Sequence, residues 1–296
     1  MQFTEQQKQL IFLHYIHPVP YSRYQSLLQD NPLIQDLSSY PPIRLQQLLG
    51  LSEVNACRIT QQFHEVSQLP LIELLHETDI IPIPYSHQDY PKELTELCDP
   101  PAVLYVKGDR NLLKKPLKVG IIGSRKATSY TKKALDFIVP PLVAQEIPVV
   151  SGLAAGADTM AHQAAMQYGG ETIAVLGHGF SHMYPKKNEK IAQEIAENHL
   201  LLTEYPPYIL PAKWTFPMRN RIISGLSNAI VVTESVERSG TMSTVEHALD
   251  HGKEIFAVPG AIDCPLSAGP NKLLDEGAKP LWSGFQILDS LQGNTI

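Results

Sequence analysis

The chain has 296 residues, 43% of them hydrophobic and 18% charged, with a formal net charge of -6. This composition excludes a disordered chain and allows one large domain or two. It also gives no global attraction to a polyanion, so any such binding must come from a local cluster of cations. Cys57, Cys98 and Cys264 lie far apart with no CxxC spacing, as expected for reduced thiols in a cytosolic protein. The opening MQFTEQQKQL lacks the basic flank and apolar core of a signal peptide. No apolar run approaches the ~20 residues that span a bilayer, and the expectation is a soluble, cytoplasmic protein.

Residues 1–70 read as a small helical domain ending near Leu69. TEQQKQLIFLHYI, PYSRYQSLLQD, IRLQQLLG and EVNACRITQQFHEV carry helical spacing between Pro, Ser and Asp breaks. LLGLSEVNACRITQQF has a helix, Gly-containing turn, helix pattern, which makes the domain SAM/helix-hairpin-helix-like. Such a pair can grip a DNA backbone or simply pack on itself. Residues 71–117 form a connecting region, with IIPIPYS and AVLYVKG as short strands among breaking prolines.

From Lys118 to residue 296 the pattern becomes regular. KVGIIG, PVVSG, ETIAVLG, LLLTEY, AIVVTES and EIFAVPG are short, nearly continuous apolar runs, the mark of parallel strands buried on both faces. YTKKALDFIV, ADTMAHQAAMQYG, NEKIAQEIAEN, RNRIISGLS and TMSTVEHALDHG read as the intervening helices, the first ended or kinked by Pro140 and Pro141. The alternation predicts an α/β fold, an extended Rossmann-like, doubly wound and mostly parallel sheet. Ligands of such sheets sit outside the carboxyl ends of the strands. The segments 123–129, 151–158, 177–188, 203–220, 234–241 and 259–271 therefore meet at one edge.

Each of these loops offers chemistry beside a plainer explanation. In GSRKATS, Gly123 permits a turn, and Ser124, Arg125 and the following amides can hold a phosphate at a helix start; a plain strand-to-helix turn is the alternative. In SGLAAGAD, Gly152 and Gly156 let backbone approach a ligand, and Asp158 suits the first turn of the next helix. Neither GxGxxG nor GxxxxGK[ST] is present, so a dinucleotide fingerprint and a P-loop are not expected. His162 reads as structural, and His178 and His182 receive no chemical role. In YPKKN, Tyr184 can stack on a base, and Lys186 and Lys187 can meet phosphates or remain a solvated pair. In FPMRNRIISGLS, Phe216 offers a second stacking face. Arg219 and Arg221 flank Asn220 at an expected helix start, where cations oppose the macrodipole unless an anion bridges them. A salt bridge to Glu204 or Glu234 is the alternative. Ser239, Gly240 and Thr241 of ERSGT suit a phosphate-binding turn or a simple helix cap.

Taken in order, PPAVLYVKG, GIIGSR, SGLAAGAD, TIAVLGHG, YPKKN, TEYPP, FPMRNRIISGLS, VVTES, SGTMST, FAVPG and SAGPN make the chain resemble the DNA-processing protein A (DprA/Smf) family over about residues 75–282. The resemblance implies a non-enzymatic, homodimeric protein that binds single-stranded DNA without a cofactor. Such a protein shields incoming strands in natural transformation and helps load the RecA recombinase. It implies a basic pocket drawing on Arg125, on Lys186 or Lys187, and on Arg219 and Arg221. Ala155 departs from the pattern, since many members carry Arg or Lys there, as does Ala157, where Ile or Val is common. Many members also have a C-terminal winged helix, which is not expected here. The rival expectation is a hydrolase of a nucleotide or ribose-phosphate N-glycosidic bond, with Glu234 as its carboxylate; that rests on fold analogy alone.

Overall fold

The computed structural model describes residues 2–293. In the N-terminal part, α1 (Glu5–Ile16), α2 (Gln25–Asp30), α3 (Pro42–Leu49), α4 (Glu53–Ser67) and α5 (Leu71–Glu77) surround one apolar cluster. Thr4 and Gln7 close a capping box on α1, satisfying two backbone donors that the first turn leaves orphaned. The α3–α4 pair turns at Gly50, which adopts φ +63, and Ser52 caps α4 through the Asn55 amide. The helical region thus runs past Leu69 to Glu77. Its core is not self-contained, because Ile80 and Ala102, Val103 and Tyr105 belong to the same cluster.

Two strands follow, β1 (Ile81–Pro84) and β2 (Val103–Gly108), with α6 (Lys92–Thr95) between them. Then come β3 (Val119–Ile122), α7 (Ser129–Ala144), β4 (Val149–Ser151), α8 (Ala157–Gln167), β5 (Thr172–Leu176), α9 (Glu189–Asn198) and β6 (Leu200–Thr203). The chain continues with α10 (Thr215–Leu226), β7 (Ala229–Val232), α11 (Gly240–Asp250), β8 (Glu254–Ala257), α12 (Ala268–Asp275), β9 (Lys279–Pro280) and α13 (Gly284–Gly293). The nine strands form one sheet in the order β1-β2-β6-β5-β4-β3-β7-β8-β9. Pairing from β6 through β9 is parallel, and β1 and β2 join antiparallel. The chain winds outward from β3 to β6, then returns to build β7 to β9 on the other side, which is the predicted doubly wound topology.

Strand alternation divides the core. Val119, Ile121, Val149, Ala229 and Val231 meet α7, α8 and α13 on one face. Ile122, Val150, Ile230 and Val232 meet α10 and α11 on the other. Both faces are covered, so the strands read as unbroken apolar runs. In β2, Leu104 and Val106 face this main core while Val103 and Tyr105 face the N-terminal helices.

Three expectations need correction. Of the end or kink expected at the prolines of α7, the end does not occur, since the helix carries Pro140 and Pro141 in its interior. The missing amides would have bonded the carbonyls of Asp136 and Phe137, both exposed residues, so water can take their place. Helix α10 begins at Thr215, placing Arg219 and Asn220 inside the helix and not in the loop before it. Segment 259–271 is not all loop, since α12 starts at Ala268. Among the described residues, no helix is long and apolar enough to cross a membrane.

Candidate nucleic-acid interface

The loops after β3, β4 and β5 and the first turns of α10 enclose a pocket of about 50 Å³. Arg125, Gly152, Ala154, Ala155, Gly177, His178, Tyr184, Pro185, Phe216 and Arg219 line it. Five of the sequence-predicted residues, Arg125, Gly152, Tyr184, Phe216 and Arg219, therefore do meet.

Arg219 forms its floor. The side chain is 5% exposed and donates through Nη1 to the carbonyls of Gly152 and Val175, and through Nε to Asn220 Oδ1 at 3.2 Å. Burial lowers its pKa, Asp158 opposes that shift, and Arg125 adds to it. Gly152 is required here by contact: a Cβ would lie 2.2 Å from Arg219 Nη1. Asp158, in the first turn of α8, accepts from the amides of Gly152 (3.2 Å) and Ala154 (3.4 Å). Burial raises its pKa, countered chiefly by Arg219. One buried carboxylate thus holds the loop and compensates the cation.

Arg125 is exposed, and its guanidinium stands 5.7 Å from the centroid of the Phe216 ring. The Phe216 and Tyr184 rings are 5.6 Å apart and tilted by 47°. Cation and two aromatic faces form a continuous rim, with Tyr184 48% exposed and open to stacking. Ser124 builds the turn under Arg125: its Oγ accepts from Lys126 N (3.0 Å), and its carbonyl from Ala127 N and Ala157 N. Gly156, at φ +81, lets that carbonyl approach; a Cβ there would lie 2.3 Å from it.

Lys186 and Lys187 are exposed on the same loop as Tyr184. Among the described residues, Arg125, Lys126, Lys186, Lys187, Lys190, Lys213 and Arg238 make no ion pair, a state they share with cations elsewhere such as Arg58, Lys107 and Lys132, whereas Lys114, Lys115, Lys118 and Arg221 are paired. Lys213 and the 59%-exposed Trp214 stand just before Phe216 in sequence, with Trp214 packed edge-on against Tyr205, and the sequence motifs single out neither. A signal for them does exist: a cation and an aromatic just ahead of a predicted stacking residue.

Other expected residues lie elsewhere. Arg221 does not reach the pocket; it ion-pairs with Glu204, and both are 5% exposed. The plainer explanation for it is the observed one. Asn220 links α10 to α11 through the Gly240 carbonyl at 3.4 Å. Ser239 occupies the N-cap position of α11 without capping it, its hydroxyl instead 2.8 Å from Ser235 Oγ. Neither it nor Gly240 nor the buried Thr241 lines the pocket. Glu234 is buried and accepts from Thr128 N (2.7 Å), Thr128 Oγ1 (2.8 Å) and Thr131 Oγ1 (2.7 Å). It secures the start of α7 and does not line the pocket. His162 is fully buried, its Nδ1 2.6 Å from Thr172 Oγ1, and is structural as read.

Fold and site together define a Rossmann-like protein with a cation-floored, aromatic-rimmed pocket over its strand ends. The chain belongs to the DNA recombination-mediator protein A family, whose sequence profile matches residues 82–292. It is 39% identical over 280 residues to the DNA processing protein DprA of Bacillus subtilis, covering 93% of this chain and 94% of that one. The X-ray structure of DNA processing protein A from Streptococcus pneumoniae superposes with a TM-score of 0.79 at 34% identity, covering 98% of both chains. The protein of the same name from Helicobacter pylori, solved for its single-stranded DNA binding mode, matches with a TM-score of 0.66 at 33% identity, over 73% of this chain and 96% of that one.

Proposed function

We propose that this protein binds single-stranded DNA along the carboxyl edge of its sheet. The observation that carries the reading is the convergence of Arg125 and Arg219 with Phe216 and Tyr184 around one small pocket. Around it lies an edge whose lysines have no carboxylate partners. Cations left unpaired in an acidic chain are available to phosphates, and the aromatic faces accept any base. The named relatives support the same reading. Within it, Lys186 and Lys187 follow the backbone, and Ser124, Gly152 and Asn220 set the geometry. The Ser239–Thr241 turn flanks the path. The protein acts in the cytoplasm as a homodimer, without cofactor or catalysis. It shields incoming strands during transformation and passes them to the RecA recombinase.

Fluorescence anisotropy with a labelled oligothymidine across a salt series tests this. Arg125→Ala and the Lys186→Ala/Lys187→Ala pair should each weaken binding about tenfold. For every phosphate that a variant no longer neutralises, the log-log salt slope should flatten by about 0.7. Variants that match the parent at every salt concentration would overturn the assignment, and a parent that ignores single strands would overturn the function.

A further inference from the structure

Asn188 stands at the N-cap of α9, where asparagine normally accepts from the helix's orphan amides. It makes no such bond. Its side chain is 4% exposed and points across to the loop after β4. There its Nδ2 donates to the Leu153 carbonyl at 2.8 Å and to Thr159 Oγ1 at 2.9 Å. Thr159 Oγ1 in turn donates to the Ala154 carbonyl at 2.6 Å. Leu153 is a buried, non-glycine residue in the left-handed region, at φ +53. A γ-branched residue holds that conformation only where its surroundings impose it.

The opposite end of the YPKKN loop is also fixed, since Tyr184 N lies 3.3 Å from His178 Nε2. Between these two anchors lie Pro185, Lys186 and Lys187. We infer that Asn188 is a positioning residue for single-stranded DNA. Its amide locks the lysine-bearing loop against the Gly152–Gly156 loop, so that Lys186, Lys187 and the Arg219 pocket engage successive phosphates together. The inference rests on the DNA-binding function proposed above.

The experiment is a double-mutant cycle between Asn188 and the lysine pair, read by oligothymidine anisotropy over a salt series, with thermal melts run alongside. In the parent background, Asn188→Ala and the near-isosteric Asn188→Asp should weaken binding about tenfold and flatten the salt slope by roughly 0.7–1.4, one or two phosphates' worth. In the Lys186→Ala/Lys187→Ala background, the same substitutions should change affinity less than twofold, because their effect runs through those lysines. If the Asn188 variants do not fold, Thr159→Val removes one acceptor and should shift the parent in the same direction, with the same dependence on the lysines. Equal weakening in both backgrounds, or an unchanged salt slope, means a purely structural residue and overturns the inference. Failure of the parent itself to bind would instead overturn the proposed function.

Discussion

Two residues along an α-helix turn a side chain through about 200°, and that rotation separates Arg219 from Arg221. Arg219 faces the strand ends and the pocket; Arg221 faces Glu204 on the other side of α10. Removing Arg221 leaves the Glu204 carboxylate buried and unpaired, at a cost of roughly 3–5 kcal/mol. Arg221→Ala should therefore lower stability in a urea titration. The Arg221→Met/Glu204→Leu double variant should recover most of that loss, and its DNA salt slope should stay at the parent value. The histidines carry a pH dependence. Burial lowers the pKa of His162 to about 3, with Arg219 contributing, and that of His14 to about 3. Unfolded histidine titrates near 6.5. Between those values the unfolded chain binds a proton that the folded chain excludes. The stabilisation is thus complete above about pH 6.5 and is lost as the pH falls toward 3, by up to about 1.4 kcal/mol per unit for each group. His162→Asn should flatten the slope of stability against pH in this window, and an unchanged slope would assign the dependence elsewhere.

Among elements, the short parallel strands were legible because burial on both faces leaves a continuous apolar run, and all six predicted after Lys118 are present. Local rules gave less at the helices. Two prolines suggested an end or a kink in α7, but the helix runs on through them, and the residues whose carbonyls lose a partner are exposed. A cap-competent Ser239 suggested capping, but its hydroxyl turns to Ser235. The small C-terminal elements β9 and α12 carry too little pattern of their own and form against β8 and the main core. The loop after β4 shows how closely such elements fit. Gly152→Ala would drive a Cβ into a guanidinium that two backbone carbonyls and Asn220 already fix. Overpacking of this kind costs about 1–3 kcal/mol. The variant should melt lower and bind single strands more weakly even where it remains folded, as paired calorimetry and anisotropy would register.

Over the whole molecule, the N-terminal helices and the sheet are joined through β2, whose Val103 and Tyr105 lie in the helical cluster at 0% exposure. Removing residues 2–79 would uncover that face. The fragment should aggregate or bind a hydrophobic dye, whereas a monomeric fragment melting at the parent temperature would show that the two parts are independent. The chain by itself determined the fold class, the edge on which its loops gather and half of the ten residues that line the pocket, because strand periodicity follows from local apolar pattern and the alternation of strands with helices sends the loops to the strand ends. It carried a family's motifs in order, and the profile match over residues 82–292 bears that resemblance out. Only the tertiary structure decided which arginine lines the pocket and which is held in an ion pair. Glu204 lies at the end of β6, 17 residues from Arg221, and reaches it only after α10 folds back over the sheet. Side-chain charge is written in the sequence, but its neutralisation depends on distances of a few ångströms that packing alone sets.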